Sequence, residues 1–402
     1  MEKGNIPGFV FKVLKKLNDA GYAAYAVGGC VRDKLLGRRP HDWDVTSSAS
    51  MEEVCALFPG AVVTGEKYGT VTVPSGGRKL EVTTFRDDGW YLDGRHPESV
   101  RFLGSLSDDL KRRDFTVNAM AMDLFGNVTD LFGGRRDLDA GLLRCVGIPR
   151  ERFSEDALRM LRAFRFSAQL GFAVEEETLR AVREQAPMAA ALSAERVRIE
   201  MEKILLSPRP ETVARTVEYG LLDGYLSRLP LSEKTLKTLT KLPENARYRW
   251  AAFAAILKQA GAVESCETFL TGLRLDGKTV RFAGTGAELA QKKFASDEMT
   301  LKRLVADWGE ETAFCTAAAA GPLWGFCRYR HLAALLKAGE CCSLQALAVS
   351  GDDLLAEGLS GAEVGAELRA ALDRVIDHPK DNRKEMLLRF LRERRETDRE
   401  KK

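Results

Sequence analysis

Two carboxylates separated by a single residue, Asp42 and Asp44, lie in the segment His41-Asp42-Trp43-Asp44-Val45-Thr46. Read as a strand with alternating side chains, this segment puts Asp42, Asp44 and Thr46 on one face and Trp43 and Val45 on the other. Like charges so close repel unless cations sit beside their oxygens, and hard oxygen ligands of this kind suit Mg²⁺. One cation held there can activate a hydroxyl. A second can hold a triphosphate and take up the charge that develops on leaving pyrophosphate. The triplet is a short motif that also occurs in exposed loops, so its neighbours decide its meaning.

Upstream, an apolar run ending at Val27 leads into Gly28-Gly29 and a short helical stretch, Val31 to Leu36. Glycines let backbone amides approach a phosphate, a helix start adds partial positive charge, and Arg32 in the first turn reaches the same anion. A plain strand-to-helix turn explains the same residues, and no GxGxxG fingerprint accompanies them. Downstream, Glu81 in Leu80-Glu81-Val82-Thr83-Thr84 is either a third carboxylate or a solvent-facing strand residue. The run Lys111-Arg112-Arg113-Asp114-Phe115-Thr116-Val117-Asn118-Ala119 offers cations for a triphosphate or ribose, or else a solvated loop.

A helix is predicted from Ser154, which caps it ahead of Glu155 and Asp156 in the first turn. Leu158, Leu161 and Phe164 make its apolar stripe, while Asp156, Arg159, Arg162 and Arg165 recur every three residues on another side. Ordinary helical ion pairs account for that polar stripe. A sharper chemistry is also available, because a carboxylate beside a guanidinium presents an acceptor next to donors. This matches the edge shared by cytosine and adenine, whose exocyclic amine adjoins an unprotonated ring nitrogen. Guanine and uracil present the reverse pattern, and a bidentate match discriminates by about 1 to 3 kcal/mol.

Such residues need a frame. From about residue 22 to 132, short β-type runs (Tyr25 to Val27, Asp42 to Thr46, Thr70 to Val73, Leu80 to Phe85) alternate with turns and short helices. Pro74-Ser75-Gly76-Gly77 reads as a hairpin turn. From Ser154 onward the strand signal fades into consecutive helices rich in Ala, Leu, Arg and Glu. The charge-dense run from Arg383 to Lys402 reads as a solvated terminal helix in preference to an RNA-binding tail.

With 402 residues, 45% of them hydrophobic, the chain can build two to four domains with normal cores. A formal charge of +3 is too small to mark nucleic-acid binding, so any such contact must come from local basic patches. Eight cysteines without a CxxC pair read as reduced, buried thiols rather than a zinc site. Near the N-terminus, Val10, Val13, Leu14 and Leu17 are interrupted by Lys12, Lys15 and Lys16, unlike the apolar core of a signal peptide. The apolar stretch from Ala251 to Val263 is too short to cross a bilayer. A cytoplasmic location is expected.

In order along the chain come Gly28-Gly29 with Val31-Arg32-Asp33 and Leu36-Gly37, then Asp42-x-Asp44 with Thr46, then Arg112 to Ala119. Asp137-Leu138-Asp139-Ala140-Gly141 with Arg144 follows, and then Glu155-Asp156-x-x-Arg159. This series resembles the class II tRNA nucleotidyltransferase and poly(A) polymerase family of the polymerase β-like nucleotidyltransferase superfamily. The likeness covers roughly the first 200 residues, where Glu195-Arg196 and Glu200 look like the family's neck-steadying motif.

The resemblance implies an α+β fold. A mixed-sheet nucleotidyltransferase head over 1–150 would precede an all-α neck over 151–210, a body over 211–300 and a tail over 301–402. It implies Asp42 and Asp44 as catalytic ligands of Mg²⁺. Gly28, Gly29, Arg32 and Arg113 would contact the nucleotide, Asp156 and Arg159 would read its base edge, and Arg162 and Arg165 would complete the site. The implied activity is template-independent addition and repair of the 3′-terminal CCA of tRNA from CTP and ATP, with release of pyrophosphate. Neck and base recognition would go together, and body and tail would grip the acceptor and TΨC arms of tRNA, in a monomer or homodimer.

Poly(A) polymerase and partial CC- or A-adding activities share these motifs. The segment Arg86 to Pro97 resembles the loop of enzymes that switch from C to A and favours complete addition. A non-catalytic RNA-binding protein is the reading from another class, and the intact Asp42 and Asp44 argue against it. The four histidines, His41, His96, His331 and His378, are too dispersed to build the HD phosphohydrolase domain some members carry.

Overall fold

The computed structural model describes residues 6–66, 69–88, 100–101 and 105–400. Most of the Arg86 to Pro97 segment therefore lies outside the described residues. The chain divides into two compact units, one of Met1–Leu192 with Tyr219–Leu221 and one of Ser193–Glu218 with Leu222–Lys402.

The first unit opens with α1 (Gly8–Asp19), β1 (Ala24–Val27), α2 (Gly29–Leu35), β2 (Asp44–Ser47) and α3 (Met51–Leu57). It continues through β3 (Val62–Gly65), β4 (Thr70–Ser75), β5 (Arg78–Thr84) and the two-residue pair β6 (Asp87–Asp88) and β7 (Val100–Arg101). Next come α4 (Leu106–Lys111), a 3₁₀ turn (Thr116–Asn118), β8 (Met120–Met122) and β9 (Val128–Asp130). The unit is completed by α5 (Gly134–Asp139), β10 (Leu142–Leu143), α6 (Pro149–Glu155), α7 (Leu158–Leu170), β11 (Ala173–Val174) and α8 (Glu176–Gln185).

Seven strands form one mixed sheet in the order β3-β4-β5-β2-β1-β8-β9. β2 runs antiparallel to β1 and parallel to β5, which leaves these three strands at the centre. The predicted hairpin joins β4 to β5. Gly76 and Gly77 both take positive φ, 56° and 73°, which a tight two-residue turn between twisted strands requires and which side chains disfavour. Val10, Val13, Leu14 and Leu17, the apolar set near the N-terminus, are the packing face of α1. They bury against a core that includes Val45, Val71, Val73, Leu80 and Val82. Each such side chain contributes about 1.5 to 3 kcal/mol, which anchors the sheet that carries the carboxylates.

Sequence periodicity misplaced two boundaries. Asp42 precedes β2 instead of lying within it, because regular pairing begins only where Asp44 meets Val27 and Glu81. The single helix predicted from Ser154 is two helices, α6 and α7, with Asp156 extended at φ −150°, ψ 104° between them. Ser154 does not cap: its hydroxyl donates back to the Arg150 carbonyl at 2.9 Å. Ala157 is the N-cap of α7 and makes no side-chain cap bond; just before it, Asp156 Oδ1 accepts from the Leu158 amide at 3.1 Å.

Among the described residues no strand follows Val174, and the second unit is helical. Its centre holds the helices Ala246–Gln259 and Glu310–Trp324, whose buried alanines let backbones approach closely. A Cβ on Gly286 would stand 2.6 Å from that of Cys315. In the terminal helix Lys384–Glu400, Arg392 and Arg395 pair with Glu357, and Arg394 pairs with Glu367. No helix of the described residues is long and apolar enough to cross a membrane. All eight cysteines are free; Cys327 is exposed and Cys55 and Cys341 are half-buried, so burial holds only for the other five.

Candidate active site

Strand register puts the carboxylates side by side. Asp44 lies opposite Val27 on β1 and opposite Glu81 on β5, and Glu81 lies opposite Thr72 on β4. Trp43 and Val45 are buried while Asp42, Asp44 and Glu81 are exposed, so the predicted alternation holds on either side of Asp44, but Thr46, expected on the same face, is buried and donates to the Thr83 carbonyl. The three acids line a cavity of about 620 Å³ together with His41, Arg78 and Lys79. Although Asp44 keeps contact with solvent, its carboxyl is pushed above the ordinary value. Partial loss of water is the main cause, the Arg113 guanidinium opposes it, and the charges of Glu81 and Asp42 add to it.

The Gly28-Gly29 turn sits at the end of β1. Gly28 has φ 78° and precedes α2, which begins at Gly29, two residues earlier than predicted. A Cβ on Gly28 would stand 2.8 Å from Arg113 Nη1, so glycine is required both for the backbone angle and for the approach of that guanidinium. Arg113 Nη2 donates to Asp109 Oδ2 at 3.1 Å, and Arg112 donates to Oδ1 of the same fully buried carboxylate. Burial acts to raise the Asp109 pKa, but the two guanidiniums outweigh it and hold the group below the ordinary range. Arg113 Nε is buried without a hydrogen-bond partner.

A second web joins α2, the 3₁₀ turn and α7. Arg32 donates from Nε and Nη2 to Asp33 Oδ1 and from Nη1 to Asn118 Oδ1 at 2.7 Å. Asn118 Nδ2 donates to Asp114 Oδ1 at 3.2 Å, and Arg162 Nε donates to Asp114 Oδ2 at 2.7 Å. Burial alone would raise the Asp114 pKa; Arg162, Asn118 and Arg159 reverse this and bring it down to about 2. The guanidiniums of Arg32, Arg162 and Arg165 lie 5.3, 5.3 and 3.7 Å from the centre of the Phe166 ring. That ring meets Phe115 edge-on at 5.8 Å.

The arginine stripe of α7 is thus not a solvated face. Arg159 and Arg165 are buried, 8% and 7% exposed. Arg159 donates to Glu155, to the Arg152 carbonyl and to the Arg112 carbonyl, which ties α7 back to the end of α4. Arg165 donates to Gln169 Oε1 at 2.8 Å. Asp156 is half-buried at the α6–α7 break, three residues before Arg159, whose amide donates to its carbonyl.

The fold therefore brings Asp42, Asp44, Gly28 and Arg113 together at one sheet end. It gathers Arg32, Arg162 and Arg165 around one ring, and it links Arg159 to the Arg112–Arg113 corner. Gly29, the first residue of α2, lies beside the Arg32 guanidinium, 3.6 Å from where its Cβ would stand. Sequence reasoning overlooked Phe166, Asp109 and the pairing role of Asp114 and Asn118. An aromatic flanked by Arg162 and Arg165 was the available signal for the first. Thr116 donates to Asp137, which Arg144 also holds, so this block of the ordered motif braces the 3₁₀ turn.

Residues 24–144 match the Poly A polymerase head domain, and residues 171–230 match the probable RNA and SrmB-binding site of polymerase A. The sheet with its carboxylates and this head define the chain as a nucleotidyltransferase. The CCA-adding enzyme of Geobacillus stearothermophilus is 39% identical over 404 residues, 96% of each chain. That of Leuconostoc mesenteroides is 50% identical over 218 residues, 54% of each. The crystal structure of the Bacillus stearothermophilus CCA-adding enzyme in complex with CTP aligns at 33% identity over 99% of this chain and 100% of that one, with a TM-score of 0.83. The Thermotoga maritima CCA-adding enzyme complexed with tRNA, at 23% identity, 96% and 94% coverage and a TM-score of 0.67, shares the fold. The chain belongs to the CCA-adding enzyme family.

Membership implies dependence on a divalent metal, and the donor chemistry fits one. The carboxylates of Asp42 and Asp44 offer hard oxygen donors whose mutual repulsion a cation would relieve. Among the described residues no three His, Cys, Asp or Glu side chains converge as a complete metal site.

Proposed function

We propose that this chain builds and repairs the 3′-terminal CCA of tRNA from CTP and ATP, releasing pyrophosphate and using no nucleic-acid template. The observation that carries this is whole-length similarity to CCA-adding enzymes, 39% identity over 96% of both chains. Asp42 and Asp44 hold the divalent cations, for which Mg²⁺ is the species their hard oxygens suit. When bound, the metal supplies activation of the 3′-hydroxyl and neutralisation of the leaving pyrophosphate.

The remaining roles belong to the chain itself. Gly28 and Gly29 leave backbone room for phosphate, and Arg113, kept in place by Asp109 and pressed against Gly28, faces the triphosphate side of Asp44. Arg32, Arg162 and Arg165 share the Phe166 ring and hold the nucleotide beside it. Asp156 and Arg159, at the α6–α7 break and the first turn of α7, present the carboxylate and guanidinium that match cytosine and adenine edges. Rigidity supports this reading, because a reader of base edges must not relax to suit guanine or uracil.

The four-part layout is kept with it: head over 1–150, base-recognising neck over 151–210, body over 211–300 and tRNA-binding tail over 301–402. A cytoplasmic place of work is also part of the proposal, supported by eight free cysteines in a chain suited to a reducing compartment. Poly(A) polymerase is the second reading, favoured by the head-domain match. One assay separates them. Purified protein with Mg²⁺ and tRNA lacking its last three nucleotides is given each of the four nucleotides, and product ends are sequenced. CTP and ATP incorporation ending at CCA is expected, without GTP or UTP. Long A tails without CTP use would identify the polymerase instead.

A further inference from the structure

Asp44 divides the sheet into two flanks. On the β1 side lie Gly28 and Arg113. On the other, β5 and β4 follow in the register Asp44, Glu81, Thr72. Alternation along β5 sends Leu80 and Val82 into the core and leaves Lys79 and Glu81 on the exposed face shared with Asp44. The cavity of about 620 Å³ runs along this second flank, from the carboxylates past Glu81 to Lys79 and Arg78. The Arg78 guanidinium lies 5.0 Å from the centre of the Phe9 ring, which fixes one wall. Among the described residues, the Lys79 ammonium enters no ion pair, although two strand residues, roughly 7 Å, separate it from Glu81.

In-line phosphoryl transfer needs the attacking oxygen and the leaving group on opposite sides of the phosphorus. With the triphosphate on the Gly28–Arg113 flank, as in the function proposed above, the attacking 3′-hydroxyl must arrive over β5 and β4. The RNA backbone behind that hydroxyl then enters a cavity whose near side is acidic. With the divalent cations proposed on Asp42 and Asp44, a phosphodiester brought there still passes the carboxylate of Glu81, whose charge a further cation on the approach would offset. Lys79 stands on it, on the correct face, with a long flexible stem and a compact charge suited to a single phosphate.

We infer that Lys79 binds the 3′-terminal phosphodiester of the incoming RNA in the cavity along β4 and β5, opposite the Gly28–Arg113 flank. This inference rests on the proposed function for the placement of the triphosphate. It makes Lys79 a contact for the acceptor strand and not for the nucleotide.

The test uses the full chain and tRNA lacking its CCA. Affinity is followed by fluorescence anisotropy across a salt series, and KM is measured separately for that tRNA and for CTP. Lys79→Ala is expected to raise Kd and KM for the tRNA about three- to tenfold and to reduce the slope of log K against log salt by about one. KM for CTP should stay unchanged, the melting temperature should stay unchanged because the residue is exposed, and Lys79→Arg should restore most of the affinity. An unaltered tRNA Kd and salt slope, or a KM increase that falls on CTP, overturns the inference. Binding needs no turnover, so a wild-type chain that incorporates neither C nor A would sink the proposed function and leave this result readable. If the wild type incorporates both and Lys79→Ala binds tRNA equally well, only the inference fails.

Discussion

Asp44 and Asp114 are both aspartates of the first unit, and their surroundings treat them in opposite ways. At the start of β2, loss of water and the neighbouring charges of Glu81 and Asp42 push Asp44 upward, with only Arg113 in opposition. At the end of α4, Asp114 is buried, yet Arg162, Asn118 and the Phe115 amide satisfy it and bring it down to about 2. One carboxylate carries charge that its own fold does not neutralise, as its proposed cation-binding role requires. The other is saturated, and so it holds α7 and its arginines in place. Reactive and scaffolding acids are distinguished by their partners, not by residue type.

The largest effect that could break this contrast is on catalysis. Asp44→Ala should reduce CTP and ATP incorporation by at least about a thousandfold. Because the substitution removes repulsion and no satisfied contact, the melting temperature should hold or rise. Full incorporation by the variant, or a marked fall in melting temperature, would erase the distinction from Asp114.

Asp114→Asn should do the reverse and act first on stability. It leaves Arg162, about a third exposed, short of its counter-charge, at an expected cost of about 2 kcal/mol, or about 5 °C in melting temperature. The sign with pH follows from the lowered value. The stabilisation is fully present above the unfolded value near 3.8 and is lost as pH falls toward the folded value of about 2. Acid unfolding curves of wild type and variant should therefore converge at the low-pH end, and parallel curves throughout would contradict the assignment.

The smallest effect sharpens the link between the two regions. Gly28→Ala adds a methyl at φ 78° and 2.8 Å from Arg113 Nη1, so it strains the turn by about 1 kcal/mol and displaces the guanidinium. Steady-state kinetics should show KM for CTP and ATP up by about tenfold, with KM for tRNA little changed. An equal rise in both would mean that the turn serves the sheet and not the triphosphate.

Much of the head was legible because its signals are local. Alternating residues mark β1, β4 and β5, two glycines mark the hairpin, and the spacing of Asp42 and Asp44 marks the pair proposed to hold the metal. The helix starting at Ser154 was misread for an equally physical reason. Ser154, Glu155 and Asp156 offer overlapping capping chemistry, and local propensity cannot choose among them. The choice fell to tertiary partners: Gln185 donates to the Ser154 hydroxyl, and Glu155 is taken by Arg152 and Arg159. Asp156 was left to accept from the Leu158 amide at the start of α7. Likewise the three-residue period of Arg159, Arg162 and Arg165 suggests an exposed stripe, whereas Arg112, Asp114 and Phe166 bury it.

By itself, then, the sequence determined which residues carry charge, where strands and turns begin to form, and the ordered motif that marks the family. These follow from covalent chemistry and from periodicities of two and three to four residues. Only the tertiary structure decided that Glu81 would stand beside Asp44, that Gly28 would receive Arg113, and that three arginines would share one aromatic ring. Apart from Arg162 and Arg165, which neighbour Phe166 on α7, those pairings join residues dozens of positions apart, and their energies depend on burial and on which partners arrive, neither of which exists until the chain has folded.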